Sequence, residues 1–385
     1  MKPLQFVFII GLFFFIYGSI NYYIGLRGWQ AFGGVFIYRR FYWIVFWFIA
    51  CGFILARLGE RFIGSFGGKY LSLIGGYWLA AMYYLFFILL FIDGLRVLNK
   101  WLNIIPGLKS YNPTVTGAII LGMVFLLLIY GTWNARHTVI NHYEVDINKG
   151  SNNLTGLKIA MVSDIHLGRI VDNKRLLEMV EKINELNPDV VLFAGDIVDE
   201  DVNVFVEEKM TETLKLLTPK YGSFAALGNH EYIGGHAEDI VRHLEEAGVH
   251  VLRDSWAKVA DSVYIVGRDE QSRHNFAGGR RKPLEEVLAD VDKSLPIILL
   301  DHQPRDLDQG VKAGVDLQFS GHTHRGQFFP NNLVTDRIFE VDWGYLKKEN
   351  LQVIVSSGFG TWGPPIRIGN KSEIVEVFVS FFKGK

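Results

Sequence analysis

Five short polar clusters follow runs of apolar residues between residues 157 and 324 of this 385-residue chain. They are Asp164-Ile-His166, Gly195-Asp196-Ile-Val-Asp199, Gly228-Asn229-His230-Glu231, Asp301-His302 and Gly321-His322-Thr-His324. Carboxylate and amide oxygens combined with imidazole nitrogens suit Mn²⁺, Fe²⁺ or Zn²⁺ better than Ca²⁺ or a thiolate site. The clusters therefore predict a site that holds divalent metal ions.

Each cluster stands at the end of a predicted buried strand. The strands are predicted at 157–163, 189–194, 223–227, 296–300 and 315–319, and residues 173–187 carry apolar residues at helical spacing. Strands alternating with helices indicate an α/β layered fold, which gathers its sites at the carboxyl ends of the strands. We therefore expect the clusters to converge.

Spacing and glycines support that convergence. Asp164 and His166 are two residues apart, as are His322 and His324. In extended backbone each pair would point to one side. Glycine precedes a candidate ligand in three of the clusters, where the backbone would turn sharply toward a shared point.

Taken singly, each cluster also has an ordinary explanation. Asp199 has the type of side chain that caps a helix, and His302 alone would more often be a satisfied core or surface histidine. The occurrence of all five clusters, in this order, is what favours a metal site over these explanations.

The ordered set resembles the calcineurin-like metallophosphoesterase superfamily over roughly residues 157–385. The runs Leu300-Asp-His-Gln-Pro304 and Gly360-Thr-Trp-Gly-Pro-Pro-Ile-Arg367 are similar to its bacterial membrane-associated branch. The resemblance implies a two-sheet β-sandwich flanked by helices, with a dinuclear metal centre at one edge.

The resemblance also implies roles for individual residues. One metal would be bound by Asp164, His166 and His324, the other by Asn229, His302 and His322, with Asp196 bridging the two. His230 would contact the phosphate or protonate the leaving group, and Asp199 would orient His230 or a ligand. The residues suit Mn²⁺, Fe²⁺ and Zn²⁺ alike. Of these three ions we favour Mn²⁺.

Two arginines are candidate phosphate contacts because a guanidinium group matches phosphate with two donors. They are Arg169, which follows the first cluster, and Arg367, which lies in the carboxyl-terminal run. A solvated surface charge is the alternative for each.

Composition separates the first third of the chain from the rest. Residues 1–135 hold ten basic and two acidic residues and no histidine, which gives a net charge of +8. Because the whole chain has a net charge of −1, the remainder has −9. The first part is apolar and aromatic, as expected of protein embedded in lipid, and the remainder has the composition of a soluble domain.

Four apolar segments of about 18–23 residues each have roughly the length that crosses a bilayer. They are 4–26, 41–58, 70–92 and 115–133. A cleaved signal peptide is the alternative for the first, but no A-x-A site follows it. We predict an all-α transmembrane domain over 1–136, a polar linker over 137–156 and a catalytic domain over 157–385.

We therefore predict a multi-pass protein of the cell membrane. The side of the membrane on which the catalytic domain lies is undecided. The loops on the two sides carry six and five basic residues, so the positive-inside rule gives no orientation. No specific nucleic-acid binding is expected, because the basic run at 280–282 is too short. The sequence makes no prediction of oligomeric state.

The predicted function is hydrolysis of phosphodiester or pyrophosphate bonds by a membrane-anchored, metal-dependent enzyme. A lipid or lipid-linked substrate is favoured, since the first candidate ligand follows the last apolar segment within about 30 residues. One alternative is a broad phosphodiesterase or nuclease that uses the membrane part only as an anchor. Another is a membrane sensor or transporter regulated by a metal-binding domain.

Overall fold

A computed structural model of the protein describes residues 3–34, 38–103 and 112–382. It divides into two compact units. The helical unit comprises Met1–Thr132 with Gly363–Ile366, and the sandwich unit comprises Trp133–Trp362 with Arg367–Lys385. The predicted outer limits of the two domains, residues 1 and 385, lie outside the described residues.

Four helices begin the chain: α1 (Pro3–Phe32), α2 (Arg39–Ala50), α3 (Gly52–Leu102) and α4 (Pro113–Arg136). Among the described residues, three stretches are long and apolar enough to cross a membrane: Val7–Phe32, Gly67–Leu102 and Pro113–Arg136. Large apolar side chains such as Phe15 (71% exposed) cover their outer surfaces, as lipid-facing residues would. Three of the four predicted spans therefore correspond to such helices.

The second predicted span, 41–58, differs from the expectation because the helix is interrupted at Cys51. The 12 residues of α2 extend about 18 Å and α3 begins at Gly52, so the segment is not one uninterrupted helix long enough for about 30 Å of hydrocarbon. The backbones of Gly52 and Gly75 also lie side by side, since a Cβ on Gly75 would stand 2.1 Å from the nitrogen of Phe53. Residues so far apart in sequence would be separated by roughly 35 Å along a straight helix. Gly52 and Gly75 are thus in contact and do not lie at the two ends of a straight helix.

The sandwich unit contains two sheets of six strands. Its strands are β1 (Val139–Ile147), β2 (Gly156–Val162), β3 (Val190–Ala194), β4 (Ser223–Ala226), β5 (Val249–Val251), β6 (Ser255–Val259), β7 (Val263–Gly267), β8 (Ile297–Leu300), β9 (Leu317–Ser320), β10 (Gly344–Lys348), β11 (Leu351–Val355) and β12 (Glu373–Phe381). The first sheet has the order β1-β12-β2-β3-β4-β5 and the second β10-β11-β9-β8-β7-β6. Strands β2 to β5 are parallel, as are β7, β8, β9 and β11.

The sandwich unit also contains helices. They are α5 (Asn173–Glu185), α6 (Val202–Glu207), α7 (Met210–Leu214), α8 (Asn229–Ile233), α9 (Ala237–Glu246), α10 (Arg273–Phe276), α11 (Leu284–Val287), α12 (Leu307–Ala313) and α13 (Asn332–Ile338). Of these, α5, α6, α7 and α9 pack against the first sheet and α11 and α12 against the second. The longest, α5, begins where the side chain of Asp172 accepts a hydrogen bond from the nitrogen of Arg175. It buries Leu176, Val180 and Ile183 on one face.

Alternation along the strands produces three core layers. On β3, Val190 and Leu192 pack between the sheets, while Val191 and Phe193 pack against the helices that include α5. On the second sheet the third layer holds strand residues and side chains of α11 and α12. The predicted two-sheet sandwich flanked by helices is confirmed.

The stretch 137–156 is predicted as a polar linker whose alternating residues 142–147 indicate a strand, and it contains strand β1 of the first sheet. Strand β1 pairs in parallel with β12 over nine residue pairs, and β12 pairs antiparallel with β2. Alternating apolar and polar residues between Tyr143 and Ile147 favour this extended pairing. The stretch is part of the sandwich rather than a free connection.

Candidate metal centre

The polar clusters converge because their strands end at the same edge. The first three clusters follow β2, β3 and β4 of the first sheet, and the last two follow β8 and β9 of the second. Within the described residues, ligand atoms approach within 4.8 Å of one another in the group Asp164, His166 and His324 and in the group Asp196, His302 and His322. The structure thus brings both sheets to one site.

The first group is buried. The Nε2 atoms of His166 and His324 lie 3.0 Å apart, and Nε2 of His324 lies 3.6 Å from Oδ1 of Asp164. The carboxylate of Asp164 also accepts a hydrogen bond from the nitrogen of His322 at 2.9 Å. That bond ties the first group to a residue of the second.

The second group meets at an amide oxygen and a carboxylate. Oδ1 of Asn229 lies 2.9 Å from Nδ1 of His322 and 3.3 Å from Nε2 of His302. Oδ2 of Asp196 lies 3.2 Å from Nε2 of His302 and 3.9 Å from Nε2 of His166. Asp196 therefore stands between the groups, in the position expected of a bridge.

The backbone at the ligands is left-handed rather than extended. Asp164, His166, Asp196, His322 and His324 have φ between 48° and 71°. Such conformations are uncommon for residues other than glycine and cluster where function demands them. The expectation that extended backbone orients each pair was wrong, because tight turns at the strand ends aim these side chains instead.

At two of the three predicted turn glycines, a ligand carboxylate packs directly against the glycine and leaves no room for a Cβ atom. Neither of these two glycines has a left-handed backbone. A Cβ on Gly321 would stand 2.2 Å from Oδ2 of Asp164, and one on Gly228 would stand 2.2 Å from Oδ1 of Asp196. Gly195 does adopt a left-handed φ of 87°.

Gly321→Ala should weaken metal binding, because the Asp164 carboxylate must move away from the added methyl group. We expect a loss of about 10- to 100-fold in Mn²⁺ affinity, comparable to displacing a ligand's supporting contact. Titration with Mn²⁺ measures the change. Gly122→Ala, where a Cβ meets nothing within 4 Å, is the matched control. Equal affinity of the two variants would contradict the assignment.

His230 and Asp199 lie beside these groups. Nδ1 of His230 is 3.2 Å from Oδ1 of Asp199, and the His230 ring meets the His166 ring edge-on at 4.5 Å. Burial lowers the pKa of His230, but Asp199 and Asp196 outweigh burial and raise it to about 9. The arrangement holds a protonated imidazole next to the site.

Burial sets the charge state of the ligands. It raises the pKa of Asp164 to about 6, and it lowers the pKa of His166 to about 4 and that of His322 to about 3. Burial opposes the ionisation of Asp196 too, but His302 holds the pKa of that carboxyl well below its usual range. His166 and His322 are thus neutral, as metal binding requires, whereas Asp196 outweighs burial and raises the pKa of His302, which would release its proton when an ion binds.

The residues present fit a divalent ion. The Nε2 atoms of His166 and His324 lie 3.0 Å apart, and burial keeps both rings uncharged by lowering their pKa values. Two nitrogen ligands of one ion, each at about 2.1 Å, lie roughly 3 Å apart. Nδ1 of His302 contacts the carbonyl of Ala194 at 2.8 Å, which orients the ring in the way that metal-binding histidines require.

Glu231 is a supporting residue that sequence reasoning missed. Its fully buried carboxylate accepts four backbone hydrogen bonds, from the nitrogens of Asp196, Ile197, Val198 and Gly228. Burial raises its pKa to about 7. The glutamate thereby joins the turn after β3 to the turn after β4. Its position directly after Asn229 and His230 in the sequence was the signal that could have identified it as part of the site.

The two candidate arginines occupy different environments. Arg367 is fully buried and donates to the carbonyls of Gly358 and Gly360, with Nη2 3.5 Å from Nδ1 of His324. This position suits support of His324 and differs from the expected phosphate contact. Arg169 forms an ion pair with Asp201 at 3.1 Å, and its contact with phosphate stays a prediction.

Comparisons with known proteins agree with the site. The model of the calcineurin-like phosphoesterase family matches residues 157–326. A transmembrane protein with metallophosphoesterase domain from Danio rerio is 34% identical over 279 residues, which are 70% of this chain and 63% of the relative. A metallophosphoesterase of Aquifex aeolicus is 33% identical over 268 residues, which are 68% of this chain and 99% of the relative.

Among solved structures, a dimetal phosphatase from Danio rerio aligns with 52% of this chain and 86% of its own, with a TM-score of 0.36 and 13% identity. The assignment to a family rests on the relatives in sequence instead, since the Aquifex protein is covered almost in full at 33% identity. The chain therefore belongs to the calcineurin-like metallophosphoesterase family.

Proposed function

We propose that the protein is a multi-pass enzyme of the cell membrane that hydrolyses phosphodiester or pyrophosphate bonds of a lipid or lipid-linked substrate. Two divalent ions, with Mn²⁺ favoured, would serve as cofactors. The observation that supports the proposal is the position of Asp196 within 4 Å of a histidine from each of two largely buried groups of potential metal ligands. Membership of the metallophosphoesterase family supports hydrolysis of a phosphoric ester.

Asp164, His166 and His324 would hold one ion and Asn229, His302 and His322 the other, with Asp196 shared. Two such ions, when bound, supply positive charge to the phosphate and acidify a water molecule. They also reconcile an anionic substrate with a part of the chain whose net charge is −9.

His230 would donate a proton to the leaving oxygen. Asp199 contacts its Nδ1, which holds the ring in one orientation and leaves Nε2 for the substrate. The raised pKa keeps this imidazole protonated near neutral pH, although bound divalent ions would lower the pKa again.

Exposed apolar side chains near the ligands support a substrate with a hydrocarbon part. The ring of Trp362, which is 55% exposed, lies 6.0 Å from that of His230, and the ring of Phe339 lies 6.1 Å from that of His322. Leu333 and Ile338 of α13 are 46% and 59% exposed. Exposed apolar surface of this kind commonly marks a binding surface.

A fourth membrane crossing, formed by the segment 41–58, is part of the proposal. The contact between Gly52 and Gly75 supports it, since the chain must run back past itself there. Small residues at such a contact let two helix backbones approach closely in a bilayer.

His230→Ala should lower turnover by about 100- to 10,000-fold, the usual contribution of a positioned acid. The full-length protein in detergent would be incubated with Mn²⁺ and a membrane lipid extract, and the lipids that disappear identified by mass spectrometry. His250→Ala, at a side chain 63% exposed on β5, is the matched control and should retain full activity.

Two results would count against the proposal. Cleavage only of soluble nucleotides or small phosphodiesters, with lipids untouched, would favour a broad phosphodiesterase anchored in the membrane. Equal activity of the His230 and His250 variants would remove His230 from the reaction.

A further inference from the structure

The helical unit contains a partly open cavity of about 270 Å³ with charged residues in its wall. Arg27 and Gln30 of α1 and Arg96 of α3 contribute polar groups to it. Most of the other lining residues are apolar or aromatic, including Phe46, Trp78 and Leu89. The cavity is thus amphipathic, with its polar wall near the last turns of α1 and α3.

The charges of this wall do not balance. Asp93 accepts hydrogen bonds from Tyr23 and Arg27, and its Oδ1 lies 3.0 Å from Nη1 of Arg96. Among the described side chains, two guanidinium groups face one carboxylate at this wall, so their formal charges sum to +1. Ionisable side chains among the apolar residues of membrane helices are energetically costly, and they commonly mark a binding site.

An apolar groove adjoins the cavity. It has a volume of about 500 Å³ and is lined by residues of α3 and α4 that include Phe87, Phe91 and Met123. Thr116 and Ile120 line both the groove and the cavity. A single ligand could therefore place a charged group against the arginines and a hydrocarbon chain along the groove.

We propose that this cavity and groove form a binding site for an anionic phospholipid, whose phosphate group contacts Arg27 and Arg96. Basic pockets between membrane helices bind anionic lipid headgroups by the same combination of charge and apolar surface. The apolar lining favours a lipid over free phosphate. The site is distinct from the metal centre and does not rest on the proposed hydrolysis.

Substitutions of opposite charge should change lipid binding in opposite directions. Arg96→Gln removes one positive charge while Arg27 still pairs with Asp93, so retention of the anionic lipid should fall about fivefold. Asp93→Asn removes the competing carboxylate, so retention should rise by about the same factor. Arg96→Lys keeps the charge and should stay within about twofold of the parent chain.

The full-length protein would be equilibrated in micelles with equal amounts of phosphatidylglycerol and phosphatidylcholine, and the retained lipids counted by native mass spectrometry. Arg39→Gln is the matched control: it removes the same charge from an exposed residue of α2 that stacks on Trp29, outside the cavity. It should leave retention of phosphatidylglycerol unchanged.

Four outcomes would overturn the site. They are no preference for phosphatidylglycerol in the parent chain, an equal loss in the Arg39 and Arg96 variants, a loss in Asp93→Asn of a folded protein, and displacement of the lipid by inorganic phosphate. Should Asp93→Asn fail to fold, the difference between Arg96→Gln and Arg96→Lys decides the matter, because only charge separates their expected results.

Discussion

Asp196→Asn is expected to lower hydrolysis by about 1,000-fold or more, since even contacts that only support a metal ligand are worth about 10- to 100-fold. Asp196 lies within 4 Å of a histidine from each ligand group, so neutralising it weakens both ion positions at once. Its Oδ1 also accepts the backbone hydrogen bond of His230 at 2.9 Å, which positions that residue. Steady-state kinetics with a small chromogenic phosphodiester would measure the loss.

The same variant should also lose most of the stabilisation that metals give. A ligand that binds only the folded state raises the melting temperature, so adding Mn²⁺ should shift that of the parent chain more than that of Asp196→Asn. Asp261→Asn is a closely matched control, since Asp261 has the same left-handed backbone (φ 51°) at an exposed site. A variant that kept both activity and the Mn²⁺ shift would refute a shared ligand at this position.

Glu231→Ala should destabilise the sandwich unit by about 3–5 kcal/mol, the range for removing one partner of a buried charged interaction. Four backbone amides would lose their acceptor, and an unsatisfied buried donor costs about 1–3 kcal/mol. Activity should fall as well, because Asp196 and Asn229 lie on the turns that Glu231 joins. Thermal unfolding followed by circular dichroism would measure the change.

Glu212→Ala provides the comparison for that experiment. Glu212 is 65% exposed and pairs with Lys215 three residues later, so its removal should cost no more than about 0.5 kcal/mol. If the Glu231→Ala and Glu212→Ala variants had the same melting temperature, the four hydrogen bonds of Glu231 would not contribute to stability as the structure indicates.

Much of the sandwich unit could be predicted from the sequence because its signals are local. A buried strand is a short apolar run, and a cluster such as Gly228-Asn229-His230 marks the point where a strand ends. The convergence of the clusters then follows from the parallel arrangement of their strands. The lining of the site was in this sense predictable.

The features that sequence reasoning missed depend on residues distant along the chain. The role of Glu231 arises from its contact with the turn after β3, more than 30 positions earlier. Arg367 is buried because the loop at Gly358 and Gly360 encloses it. The left-handed conformation of Asp164 was missed as well, because its turn is held by a distant residue: the nitrogen of Asp164 donates to the carbonyl of Gly195 at 3.0 Å.

In the helical unit, the sequence predicts the positions of apolar segments but not the contacts between them. Hydropathy locates apolar segments, but it does not reveal that a helix is interrupted at Cys51 or that Gly52 meets Gly75. Nor does it identify the ion pairs that Asp93 forms with Arg27 and Arg96.

Strand β12 has a consequence for the order in which this protein is made. It is the last strand along the chain, yet it lies between β1 and β2 and pairs with both. During synthesis β1 and β2 emerge more than 200 residues before their shared partner, with open edges that invite pairing with other chains. The first sheet can close only after residue 381 has left the ribosome. A nascent chain that still lacks β12 should therefore be inactive and prone to aggregation, because the edges of β1 and β2 that pair with β12 are then open.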